Sequence, residues 1–126
     1  MSSYRLSANG GLQTLSATVG TTQTAACWVV MGEGGRFAYT TNTGSASISS
    51  YRVAFNGTLQ LLEARAADTG NNPIDVSVSD NGRFLYVLNQ VSGTIGGYRI
   101  QTDGSLDPIA GLITGLPNFV VGIASR

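Results

Sequence analysis

The feature that most narrows the folds open to this chain is a 47-residue repeat that runs through it without a gap. Tyr4-Arg5-Leu6 returns as Tyr51-Arg52-Val53 and again as Tyr98-Arg99-Ile100. In the same register, Asn9-Gly10-Gly11-Leu12 returns as Asn56-Gly57-Thr58-Leu59 and as Asp103-Gly104-Ser105-Leu106. Gly35-Arg36-Phe37, with Tyr39 and Asn42, returns as Gly82-Arg83-Phe84 with Tyr86 and Asn89, and Ile48 returns as Ile95. A period of this length marks stacked supersecondary units, each unable to bury its apolar faces without neighbours.

Each unit divides into four strand-like segments separated by turn residues. In the clearest one, Ile74-Asp75-Val76-Ser77-Val78 alternates apolar with polar, and Asp80-Asn81-Gly82 turns the chain. Residues 84–88 form a continuous apolar run, the pattern of a strand covered on both faces. Residues 94–100 make a third strand, Thr102-Asp103-Gly104 a hairpin turn, and residues 106–113 an outermost fourth strand. No stretch of ten or more residues carries helical periodicity. Four antiparallel strands per unit predict an all-β chain built of β-propeller blades. A β-solenoid, the rival architecture, has shorter coils and does not close with hairpins. The phase of the repeat divides a single domain into a half blade (1–20), two full blades (25–67 and 72–114) and the first strand of a further blade (119–126).

Composition removes several functions. The chain has 126 residues, no His and a formal net charge of zero, with seven cations and seven anions. Without a basic surplus there is nothing to neutralise a phosphate backbone, so nucleic acid is not an expected partner. The missing His removes the commonest general base and metal ligand, and one Cys allows neither an intrachain disulfide nor a thiolate cluster. No metal or cofactor is expected. No apolar run reaches the ~20 residues of a membrane helix, and the first residues lack a signal-peptide core. The chain as written is expected to stay in the cytoplasm.

The run Pro73-Ile74-Asp75-Val76-Ser77-Val78-Ser79-Asp80-Asn81-Gly82-Arg83-Phe84-Leu85-Tyr86-Val87-Leu88-Asn89 resembles a blade of the lactonase-family seven-bladed propellers, which include 6-phosphogluconolactonases. The continuation through Tyr98-Arg99-Ile100 to Leu106, and the tail Gly115-Leu116-Pro117 to Ala124, fit the same pattern and resemble the C-terminal third of such a protein. The resemblance implies the propeller fold and, in its family, hydrolysis of sugar lactones. Blades of that family often open with Pro-Arg-His; the matching positions here are Pro73-Ile74-Asp75, Ala26-Cys27-Trp28 and Val120-Val121-Gly122, without the Arg or the His.

The start of strand one and the end of strand two of a blade share one face of the ring, gathering Cys27, Trp28, Asn42, Asp75 and Asn89. Asn42 and Asn89 read as ligand contacts or, more simply, as turn caps. Asp75, a weak catalytic candidate, reads as a base or as a hydrogen-bonded structural carboxylate. Trp28 could stack on a sugar-like ligand or fill a gap between blades, and Cys27 reads as a small packed hydrophobe. The Tyr of each Tyr-Arg pair is expected between sheets and the Arg at an edge. An incomplete ring exposes apolar flanks and strand edges, so the chain is expected to pair head to tail with a second copy. Tail and half blade would then form a shared three-stranded blade, giving a six-bladed ring. The functional expectation is a self-assembling, structural or ligand-binding propeller unit without efficient catalysis. The alternatives are a lactone hydrolase rebuilt across chains and a protein-interaction platform.

Overall fold

The computed structural model describes every residue except Leu112, and Glu33 by its backbone alone. Ten strands follow one another in the order that the repeat dictates. A two-stranded sheet pairs β1 (Ser3–Leu6) with β2 (Leu12–Ser16). The first four-stranded blade contains β3 (Ala26–Met31), β4 (Phe37–Asn42), β5 (Ser47–Val53) and β6 (Leu59–Asp68) in sequence order. The second contains β7 (Pro73–Val78), β8 (Phe84–Asn89), β9 (Thr94–Ile100) and β10 (Leu106–Pro108), again in order and antiparallel. The only helical turn among the described residues is a single 3-10 turn, Glu33–Gly35, inside the hairpin between β3 and β4. Gly34 and Gly35, both at positive φ, shape this hairpin.

Two expected strands differ from the structure. The outermost strand of the second blade ends at Pro108, with one further ladder bond from Ile109 N to Gly97 O at 2.9 Å. Farther on an isolated bridge joins Ile113 to Ile95, and Leu112 lies outside the described residues. Residues 120–125, expected as the first strand of a further blade, form no strand. A strand is defined by its ladder, and this segment makes none.

Burial follows the layering. All six residues of β4 are buried, as the continuous apolar pattern requires for a strand sandwiched between neighbouring sheets. Phe37, Tyr39 and Ile48 of the first blade meet Val76, Leu85, Val87, Tyr98 and Leu106 of the second in one core cluster. Burying a large apolar side chain contributes about 1.5–3 kcal/mol, against about 1 kcal/mol net for a typical hydrogen bond. Apolar contact between blades therefore carries most of the stability, and the polar contacts fix the register.

Those polar contacts recur with the repeat. Tyr98 Oη donates to Asp68 O at 2.5 Å, and Tyr51, 47 residues earlier, donates to Val19 O at 3.2 Å. Each ties its sheet to the preceding one. Tyr39 Oη reaches forward to Gly104 O at 3.0 Å. The arginines, on interior strands of their sheets, cover aromatic rings: Arg52 lies 5.8 Å from the Phe37 ring centroid and Arg99 5.2 Å from that of Phe84.

Burial, with a lesser contribution from the Asp103 charge, pushes the Tyr39 phenol up to about 12; burial and Asp68 do the same for Tyr98. Because the folded values lie above the unfolded one near 10, the folded state holds these protons more tightly. The linked stability is full below pH ~10 and is lost as pH rises toward 12. Tyrosinate absorbance should therefore rise in two stages, with the late stage coinciding with loss of β-sheet circular dichroism. A single early rise of all five tyrosines would contradict this packing.

Candidate functional site

The ladder register sets the candidate residues at one end of the blades: Ala26 faces Asn42, and Pro73 faces Asn89. In both blades the first strand bulges just inside this end. In the first, Thr40 Oγ1 donates to Trp28 O at 2.7 Å and Thr41 Oγ1 accepts from Trp28 N at 3.3 Å. Thr43 Oγ1 donates to Pro73 O at 2.9 Å, tying the two blades together at this rim.

The side chains do not converge on a common point. Trp28 is 52% exposed, so it does not fill a gap between blades. Cys27 is also exposed and is not packed as a small hydrophobe. Both differences have one cause: β3 is an innermost strand, almost wholly exposed in this chain because no sheet crosses it. Asn42 and Asn89 are fully buried inside their sheets. Asn42 Nδ2 donates to Ser47 Oγ at 3.1 Å and to Ser49 Oγ at 2.9 Å; Asn89 Nδ2 donates to Thr94 Oγ1 at 3.1 Å. Each amide thus crosses from the second strand of its blade to the third, and its Oδ1 has no partner among the described residues.

Asp75 has both carboxylate oxygens engaged by backbone. Oδ1 accepts from Val76 N at 2.8 Å and Oδ2 from Ile123 N at 2.9 Å. Ser77 continues the clamp, with Ser125 N donating to its Oγ at 3.1 Å. Gln90 Nε2 approaches Val120 O at 3.4 Å. The tail therefore lies beside β7, where the first strand of a next blade would lie, held by side chains in place of a ladder. Ser77 and Gln90 were not singled out from the sequence. The available signal was the polar Ser77 at the repeat position of the apolar Val30. Among the described residues no three His, Cys, Asp or Glu side chains gather as a metal site.

The family model for the lactonase seven-bladed β-propeller matches residues 2–121. The chain belongs to this family. Solved structures agree on the fold. A protein from Lactobacillus plantarum matches with a TM-score of 0.77 at 22% identity, covering 93% of this chain and 36% of its own. The periplasmic gluconolactonase of Pseudomonas aeruginosa matches at 0.73 and 22% identity, covering 91% of this chain and 34% of its own. A proposed 6-phosphogluconolactonase of Bacteroides fragilis matches at 0.72 and 24% identity, covering 91% and 33%. The chain thus spans about a third of the length of these solved proteins. No curated protein sequence matches it.

Proposed function

We propose that this lactonase-family chain is a ring-building unit: a second copy docks head to tail, and the role is structural or ligand-binding, without lactone hydrolysis at Asp75. The observation that carries this reading is the unequal state of residues that the repeat makes equivalent. Phe37 is buried against the Gly104 hairpin, to which Tyr39 also donates. Their twins Phe84 and Tyr86 are only half-buried, on the outer face of the second blade. At the other end Tyr4, the twin of Tyr51 and Tyr98, is 54% exposed. The turn equivalent to Gly104 is Gly10, on the same two-stranded sheet as Tyr4.

A second copy supplies what is missing on both sides. Its Gly10 hairpin would meet Phe84 and Tyr86 as Gly104 meets Phe37 and Tyr39, and its Tyr4 would donate to the outer strand of the second blade. The tail clamped by Asp75 and Ser77 lies ready to join β1 and β2 of the incoming copy as a shared blade. Two chains then close six blades, within the usual range of about 4–8, whereas three would give nine. Because assembly stabilises the folded chain by mass action, the melting temperature should rise with protein concentration in wild type. The rise should shrink in Tyr86→Phe and Tyr4→Phe. A melting temperature independent of concentration would remove the proposal.

Family membership favours one second reading, hydrolysis of a sugar lactone at a site rebuilt across chains. Asp75 would be its base, and both oxygens of that carboxylate already accept backbone N–H groups. A lactone turnover assay decides: wild type exceeding buffer, with Asp75→Asn at background, would favour the hydrolase over the structural reading.

A further inference from the structure

The two blades of this chain act as controls for each other, and at one position they differ in a way that points to a ligand. In the first blade Ser49 Oγ sits between two groups: it accepts from the buried Asn42 Nδ2 at 2.9 Å and donates to Ala64 O on the outer strand at 2.6 Å. The residue 47 positions later is Gly96, which has no hydroxyl. Its neighbour Asn89 is the twin of Asn42 and is equally buried, with Oδ1 unpartnered among the described residues in both, yet its Nδ2 has one partner, Thr94, where Asn42 Nδ2 has two. An unpartnered buried polar group is costly and calls for an explanation.

A cleft borders the glycine that stands in place of the serine. A cleft of about 670 Å³ lies between the blades at this point, lined by Asn89, Thr94, Gly96, Tyr98, Gly70 and Gly111, the last being the repeat twin of Ala64. Gly70 keeps it open above Asn89, since a Cβ there would come within 2.9 Å of the Asn89 side chain. The charged residue on its wall, Asp68, is already ion-paired to Arg65 at 2.6 Å. The walls otherwise combine apolar surface with amide and hydroxyl groups, a lining that suits an uncharged molecule with an alcohol to place against the amide.

We propose that the cleft between the two blades binds a small neutral polyol, one hydroxyl of which takes the place of the Ser49 side chain against the buried amide of Asn89. The ligand hydroxyl accepts from Asn89 Nδ2. The cleft is formed within one chain, so this site stands whether or not a second copy docks.

The test follows the side-chain amide resonances of the asparagines during titration with glycerol. In wild type the Asn89 signal should shift along a saturating curve while the signal of Asn42, whose Nδ2 already donates to Ser47 and Ser49, stays in place. Gly96→Ser puts the hydroxyl back on the chain; its Cβ would meet Tyr98 Oη at 3.2 Å and Asn89 Nδ2 at 3.6 Å, so a small adjustment accommodates it. Gly96→Ala fills the same space without a hydroxyl. Both variants should abolish the Asn89 shift, and only the serine variant should give Asn89 the resonance pattern of Asn42. An Asn89 signal that never moves would mean that the cleft holds solvent only. Parallel, unsaturated drift of both asparagines would mean a bulk solvent effect, and a shift that persists in Gly96→Ser would place binding elsewhere; each overturns the proposal.

Discussion

Phe37→Ala is expected to cost about 3–5 kcal/mol of stability at every protein concentration, the range for deleting a well-packed aromatic ring. Phe84→Ala should cost much less in dilute solution. The two residues share one repeat position and one kind of arginine partner, Arg52 for Phe37 and Arg99 for Phe84. They differ in what lies beyond the ring. Phe37 is 6% exposed, with the Gly104 turn pressed on it, whereas Phe84 is only half-buried. If a second copy covers that face, the cost of Phe84→Ala will grow with concentration, because the ring then gains its contact only in the assembly. Urea unfolding of both variants at low and high concentration measures this. Equal costs throughout would mean that the two faces are not different environments.

Gly104→Ala should be nearly as damaging, for two reasons that add. Its φ is +90°, a conformation that L side chains rarely adopt. A Cβ there would also stand 2.4 Å from Phe37 Cδ1, with Phe37 Cε1 and Cγ close behind. Overpacking in a filled core typically costs about 1–3 kcal/mol, and the strained backbone adds about 1–3 kcal/mol. The Tyr39 hydrogen bond to Gly104 O sits on the same turn and would be displaced with it. Gly10→Ala is the informative comparison: φ is +82° but nothing lies within 4 Å of the added Cβ. That variant should lose only the backbone share in a dilute sample. Thermal melts of the pair separate strain from contact, and equal losses would refute the packing account of Gly104.

How much of this was legible in the sequence depends on which residues carry their meaning locally. The blades were readable because turns such as Asp103-Gly104 and apolar runs such as residues 84–88 specify hairpins and sandwiched strands by themselves. The tyrosines 51 and 98 were readable for the same reason, since recurrence at a fixed spacing implies a recurring contact. The inner-strand residues were not. Cys27 and Trp28 have the composition of packed residues, and their exposure follows from the absence of anything crossing β3, which no local pattern encodes. The ends of the last two segments also escaped. The outermost strand leaves its ladder after Ile109 where the apolar pattern continued, and residues 120–125 have strand-like composition without a ladder. The buried asparagines were legible as important and misleading as to place. Their meaning comes from Ser49 and Gly96 on the adjacent strand, visible only once β4 and β8 are set beside β5 and β9.

Light scattering coupled to size exclusion weighs the ring proposal most directly. Two sheet faces that lack their repeat-specified neighbours predict a species of twice the 13.0 kDa chain mass, dissociating on dilution. A folded particle of single-chain mass at every concentration, with unchanged melting behaviour, would contradict it.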